Sequence, residues 1–272
     1  MPIRLIAADV DGTLMESDHV HVSLRNLDAL RRASALGVKI VLASGRTWNL
    51  LDQVREWLGC LDWAILSNGA ALARGDTGEY TSLGLIPNAQ ALRIVEVLNR
   101  YGLHYEVYCG GQNYVEAADR PWMMENYLGR EFRDFFGQTT LWPESHALGT
   151  DGRGVEKFNV VYVDPEVKDQ VIREIRSIGG FEIANAFSEN MEISAPGINK
   201  GAALAHLCRE LDIPRREVMV FGDGGNDVEM LGFGGWSFAM ANGADRAKRA
   251  AKYLAPANDA SGVGRMIEEF VL

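Results

Sequence analysis

Two aspartates one residue apart, Asp9 and Asp11, stand in the loop Asp9-Val-Asp-Gly-Thr13 directly after a short apolar run. A second acidic loop, Gly222-Asp-Gly-Gly-Asn-Asp227, follows another apolar run, and Lys200 opens a helical pattern upstream of it. Ser44-Gly45-Arg46 and Ser67-Asn68-Gly69 close two further runs. Taken singly, each loop could be a plain turn, because Asp-Gly and Asn-Gly favour hairpin geometry. Gathered at one edge of one sheet, Asp9, Asp11, Asp223 and Asp227 would repel one another unless something positive sat among them. A divalent cation meets that need, and carboxylate and carbonyl oxygens with no His or Cys in these loops favour Mg²⁺ over zinc. Even with Lys200 and Mg²⁺ the site stays net negative. A phosphate ligand would then need a cradle of hydroxyl and N–H donors, such as Ser44, the Gly45 amide and Asn226. If Asp11 carries a proton while Asp9 is ionised, the pair is a nucleophile beside an acid.

Competing motifs fail on spacing. Gly222 and Gly224 begin a dinucleotide fingerprint whose third glycine would fall at Asp227, and no Gly-Lys-Ser/Thr follows any glycine loop. An EF-hand reading puts Asp18 where a bidentate Glu belongs and Ala7 at the first ligand position. The 272 residues carry 37 acidic and 27 basic side chains, a formal charge of −10, and 47% are hydrophobic. That composition is globular, and its acidity argues against nucleic acid or an anionic membrane as partner; the densest basic stretch, Arg246 to Lys252, is too short to reverse it. No apolar run approaches the ~18 residues of a membrane span, and the first eight residues meet Asp9 too early for a signal-peptide core. The expectation is a cytoplasmic protein, monomeric or a small homo-oligomer. Cys60, Cys109 and Cys208 have neither zinc nor disulfide spacing.

The elements that must position these loops follow from the apolar periodicity. Short apolar runs alternate with helical patterns in the first third, which is βαβ grammar for a parallel sheet. Strands are expected over residues 4–8, 38–43 and 64–66. Between them lie a helix capped by Ser23, with Leu24, Leu27 and Leu30 on one face, and a second over residues 47–58. The last third repeats the pattern, with Asn199 capping a helix that carries Leu204, Leu207 and Leu211, then a strand over 217–221 and short strands at 237–240 and 253–254. The middle differs: helices over 88–100 and 165–178 mix with strands over 103–108, 158–163, 181–186 and 191–194. The fold class expected is α/β, a Rossmann-like parallel sheet core of residues 1–82 and 195–272, interrupted by an inserted α+β domain of residues 83–194.

In order along the chain, Asp9-Val-Asp-Gly-Thr-Leu14, Ser44-Gly-Arg46, Ser67-Asn-Gly-Ala70, Asn199-Lys200-Gly201, Gly222-Asp-Gly-Gly-Asn-Asp227, Ala239-Met-Ala-Asn242 and Asn258-Asp-Ala-Ser-Gly-Val263 resemble the motifs of the haloacid dehalogenase-like (HAD) hydrolases. Within them they resemble the Cof-type sugar-phosphate phosphatases with an inserted type IIB cap. The resemblance spans nearly the whole chain. It implies a Mg²⁺-dependent phosphatase of small phosphorylated metabolites, with Asp9 as nucleophile and metal ligand and Asp11 as general acid and base that offers its backbone carbonyl to the metal. Asp223 would complete the metal shell. Ser44 and Lys200 would hold the phosphoryl group, with Gly45, Arg46 and Asn226 beside it, and Asp227 would orient Lys200 or a metal-bound water. The alternatives are a phosphomutase, which returns the phosphoryl group to a sugar, and a phosphometabolite-binding protein without turnover. Gly225 departs from the larger polar residue usual in relatives. Arg46 reads equally as a surface residue, and His19, His21, His104, His146 and His206 lie in no motif. The inserted domain carries Tyr105, Tyr108, Tyr114, Trp122, Trp142 and Tyr162, read as core packing before sugar stacking, and a glycine-rich loop over 149–154 in which Arg153 would affect the Michaelis constant if it reached substrate.

Overall fold

The computed structural model describes residues 2–126, 140–142, 154–184 and 190–272, with only the backbone of 140–142. The chain forms two compact units, Met1–Thr81 with Asn199–Leu272, and Ser82–Ile198. The loop containing Arg153 and the Trp142 side chain lie outside the described residues.

In the first unit, β1 (Leu5–Ala8), β2 (Lys39–Ala43) and β3 (Trp63–Leu66) are parallel neighbours and almost wholly buried, as expected of strands covered on both faces. The chain then turns back through β4 (Ala71–Arg74), antiparallel to β3, and β5 (Tyr80–Ser82). The helix Leu24–Ala35 is capped by Ser23, whose side chain accepts from Asn26 N. Its expected apolar face is rotated: Leu24 is 83% exposed, whereas Asn26 is buried. Asn26 donates to Leu14 O at 3.3 Å and accepts from Gly264 N at 2.8 Å, so a satisfied amide turns the helix and Leu24 falls on the water side. The next helix begins as a tight turn, Asn49–Leu51, before Asp52–Leu58.

The second unit is built on a sheet of β6 (Tyr105–Cys109), β7 (Gln112–Glu116), β8 (Thr140–Trp142), β9 (Lys157–Val160), β10 (Glu182–Ala184) and β11 (Met191–Ser194), in the order β10-β11-β9-β6-β7-β8. Of the strand expected over 181–186, residues 185 and 186 lie outside the described residues. The strand expected over 158–163 stops at Val160, although the Val161 amide still donates to His104 O at 3.0 Å in register with the Tyr105–Val160 pair. Tyr105, Val107, Phe158, Val160, Met191 and Ile193 pack with Ile94 and Leu98 of the helix Asn88–Arg100 and with Val171 and Ile175 of the helix Pro165–Ile178. By strand alternation the intervening residues take the other face. They form a buried polar network: Glu106 accepts from Asn159 at 2.7 Å and Asn113 at 2.9 Å, and Lys157 Nζ donates to Glu192 at 2.5 Å while lying 4.4 Å above the Tyr108 ring. Of the expected aromatics, Tyr105 and Tyr108 are buried, Trp122 stacks on His104, and Tyr162 is exposed.

Returning to the first unit, the chain adds β12 (Val218–Gly222), β13 (Trp236–Met240) and β14 (Tyr253–Ala255), all parallel. The eight-stranded order is β14-β13-β12-β1-β2-β3-β4-β5. From β1 the sheet grows first toward β2 and later toward β12, so the strand order reverses beside β1. Ligands of open parallel sheets bind at such a reversal, at the carboxyl ends of the strands.

Lys157 and Glu192 are 1% and 4% exposed. Removing one partner of a buried pair leaves the other charge uncompensated, so Lys157→Met is expected to lower the unfolding free energy by about 3 kcal/mol, read by urea denaturation.

Candidate active site

The buried β1 delivers Asp9 at its carboxyl end, where the Asp9 amide donates to Phe221 O of β12 at 3.0 Å. The chain then makes one wide turn, Val10–Leu14, with Gly12 at φ +75°. A side chain at Gly12 would be strained there, and its Cβ would lie 2.5 Å from Asp223 Oδ2. Glycine is what lets the two acidic loops touch. Thr13 Oγ1 donates to Asp223 Oδ1 at 2.8 Å, and Asn242 donates to Gly12 O at 2.8 Å. Asp227 folds back on its own loop, and its Oδ2 accepts from the Asp223 and Gly224 amides at 2.9 Å each.

Lys200 opens the helix Lys200–Glu210, whose Asn199 cap accepts from Ala202 N. The helix start presses on Gly69, at φ +102°, where an added Cβ would sit 2.4 Å from Asn199 O. The lysine is fully buried, and its Nζ donates to Asp9 Oδ1 and to Asp227 Oδ1 at 2.7 Å each. Oxygens of Asp9, Asp223 and Asp227 lie within 4.8 Å of one another. All donors in that trio are hard carboxylate oxygens, the chemistry of a Mg²⁺-type site. Asp227 has both oxygens engaged, by Lys200 and by two amides, whereas Asp9 Oδ2 and Asp223 Oδ2 accept no hydrogen bond among the described residues. Asp9 and Asp223 are therefore the members able to hold a cation.

Burial, with the nearby Asp227 charge, pushes the Asp9 carboxyl well above its ordinary range against the pull of Lys200. Burial and Asp227 likewise push Asp223 up to about 7. The two carboxylates and burial hold Lys200 to opposite effect: desolvation opposes its charge, but Asp227 and Asp9 outweigh it and the ammonium is firmly protonated.

Asp11 stands apart from this trio. Its carboxylate takes a two-point contact from Arg46, Nε to Oδ2 at 2.9 Å and Nη2 to Oδ1 at 2.5 Å, and His19 Nδ1 lies 3.9 Å away. Burial raises the Asp11 pKa, but the Arg46 guanidinium, with the His19 imidazole nearby, overcomes it and holds the carboxyl well below the usual range. The guanidinium thus faces Asp11, whereas Lys200 is the cation that meets Asp9 and Asp227 of the trio. Arg46 is thus no plain surface residue. The buried Ser44 follows β2; its Oγ accepts from Arg46 N at 3.1 Å, so its own proton is free to donate elsewhere. Gly45 lies between them, and Asn226 donates to Asn68 Oδ1 at 3.1 Å. Thr13 and His19 have their partners only through the fold. A hydroxyl in an acidic loop was a faint signal for the first, and no local signal marks the second.

A family model described as haloacid dehalogenase-like hydrolase matches residues 6–267. The chain belongs to that family. It is 28% identical over 272 residues to the 5-amino-6-(5-phospho-D-ribitylamino)uracil phosphatase YcsE of Bacillus subtilis, covering 99% of this chain and 96% of that one. A solved haloacid dehalogenase-like hydrolase from B. subtilis superposes with TM-score 0.87 at 26% identity over 99% of this chain and 100% of the other. The HAD subclass IIB sugar phosphatase BT4131 shares the fold, with TM-score 0.84 at 23% identity over 98% of each chain. No helix among the described residues is long and apolar enough to cross a membrane.

Because Asp223 has a raised pKa in the folded state, its favourable contribution is complete below the unfolded value near 3.8 and is lost as pH rises through about 7. Metal-free protein is expected to melt a few degrees lower at pH 8 than at pH 6, and Asp223→Asn to flatten that dependence, as read by calorimetry in chelator.

Proposed function

We propose that the protein is a Mg²⁺-dependent phosphatase that hydrolyses small phosphorylated metabolites, sugar phosphates and phosphorylated polyols among them, through an aspartyl-phosphate at Asp9. The observation that carries this reading is the buried Lys200 ammonium bridging Asp9 and Asp227 beside Asp223. A pure binding protein has no need of such a costly arrangement of charge. Family membership and relatives named as phosphatases support it, and the phosphoribityl group in the name of the YcsE substrate supports a polyol phosphate.

In this reading Asp9 and Asp223, with the Asp11 backbone carbonyl, hold Mg²⁺, which when bound supplies positive charge against the phosphoryl oxygens. Lys200 and Ser44 O–H hold the transferring group, with the Gly45 amide and Asn226 as further donors. Asp9 Oδ attacks phosphorus, the bond to the ester oxygen breaks, and Asp11 gives that oxygen a proton. Water then attacks the aspartyl-phosphate, Asp11 takes its proton, and the phosphorus–Asp9 bond breaks to release phosphate and restore the carboxylate. Asp227 keeps Lys200 aligned. Since Asp11 faces Arg46, taking part in proton transfer means leaving that guanidinium, so Arg46 sets how readily Asp11 ionises. Residues 82–198 are read as the cap that selects substrate, on the strength of the fold shared with a subclass IIB phosphatase over nearly the whole chain.

Phosphate release from a panel of sugar phosphates, a phosphorylated ribityl compound and pyridoxal phosphate, with Mg²⁺ and with chelator, tests the reading. Turnover is expected only with Mg²⁺, and Asp9→Asn should lower it at least ~10³-fold with the fold intact; near-normal turnover in that variant would overturn the mechanism. Isomerised sugar phosphate in place of free phosphate would make the protein a mutase. Arg46→Met should move the basic limb of the kcat/KM profile, set by the proton that Asp11 gives the ester oxygen, to higher pH by about one unit, the sign set by losing the cation that holds Asp11 ionised.

A further inference from the structure

The amino ends of the central strands, opposite the acidic cluster, carry a cavity of about 690 Å³. Arg4 precedes β1, Glu217 precedes β12, and Arg209 lies near the end of the helix that Lys200 opens. β12 has five residues, so at roughly 3.3 Å per residue the cavity is about 16 Å from the Asp223 loop. All of its lining residues belong to the first unit.

Four arginines line it, Arg4, Arg209, Arg215 and Arg216, against two acidic residues, Asp212 and Glu217. This excess of positive charge stands in a chain of net charge −10. The local contacts do not consume it. Glu217 is shared between Arg4 at 3.4 Å and Arg216 at 3.3 Å, with the two arginine side chains 48% and 60% exposed. Arg4 also donates to the Asp212 backbone carbonyl at 3.1 Å and Arg215 to Gly232 O at 3.2 Å, so neither bond neutralises a charge. The Arg209 guanidinium makes no hydrogen bond or ion pair among the described residues, nor does the Asp212 carboxylate. Like charges gathered in one concavity raise the local potential and attract an anion. Guanidinium forks match phosphate oxygens two at a time, and the volume falls within the roughly 300–1,000 Å³ of small-molecule sites. Cys208 and Ile213 are buried in the lining, and burial pushes the Cys208 thiol up to about 11, so the cysteine is lining and not a reactive group.

We propose that this arginine groove is a second ligand site, distinct from the acidic cluster, that takes a small anion bearing at least two phosphoryl groups. Its two-charge excess suits a diphosphate or bisphosphate better than a monoanion, and its concavity suits a compact ligand. The proposal stands whether or not the phosphatase reading holds.

Inorganic tripolyphosphate, added in chelator, is the probe, with binding read by calorimetry and its location by hydrogen exchange. Tripolyphosphate should protect amides within residues 205–217, and the exposed double substitution Arg209→Glu with Arg216→Glu should weaken binding at least ~tenfold. The unfolding transition of that variant should match that of the unsubstituted protein, which confirms that it folds. Protection confined to residues 9–13, 44–46 and 222–227, equal affinity in the variant, or no binding at all would each overturn the proposal.

Discussion

A fully buried ammonium group is tolerable only where carboxylates meet it at hydrogen-bonding distance, because its desolvation costs several kcal/mol. Lys200 satisfies that requirement twice, with Asp9 and Asp227 each 2.7 Å from Nζ. The partners are 191 and 27 residues away along the chain. Satisfying the lysine therefore ties together the end of β1, the loop after β12 and the start of a helix. The close approaches around it follow from the same demand. Gly12 admits the Asp223 carboxylate, Gly69 admits the backbone of Asn199, and the Asp223 and Gly224 amides hold Asp227 in place.

The charge balance of that arrangement is what gives neighbouring aspartates different characters. Burial, with the Asp227 charge beside them and one ammonium to offset three carboxylates, holds Asp9 and Asp223 above their ordinary range. Asp11, two residues from Asp9, faces a guanidinium and is held below it. Four aspartates with one intrinsic acidity thus divide by surroundings: two with oxygens open to a cation, one whose oxygens are spent on aligning a lysine, and one whose ionisation is governed by an arginine. Such a division is the physical basis for distinct roles within one site.

The sheet makes the trio possible. Parallel strands all present their carboxyl ends at one edge, and the reversal of strand order beside β1 places the loops after β1 and β12 side by side. The opposite edge collects what precedes the strands, and there the arginines at positions 4, 209, 215 and 216 meet. In the second unit, strand alternation separates an apolar face packed on two helices from a buried polar face centred on Glu106, Lys157 and Asn159.

Much of this was legible in the residues alone. Apolar runs ending in Asp, Ser and Gly identify strands with polar loops at their carboxyl ends, and the alternation of strands with helical patterns makes the sheet parallel. Asp9, Asp223, Asp227 and Lys200 could be gathered on that ground before any coordinates. The antiparallel β4 and the strand β7 were not legible, being short and polar or small in composition, and Leu24 was assigned to the wrong face because a buried Asn26 amide sets the rotation of its helix. Nor could the sequence assign Arg46 to Asp11, Thr13 to Asp223 or His19 to the site, or gather four scattered arginines into one groove. Periodicity and turn chemistry act over a few residues and determine which elements form and what stands at their ends. Which charge faces which, and hence which aspartate keeps a proton, depends on distances between segments tens to hundreds of residues apart, and only the packed tertiary structure decides those.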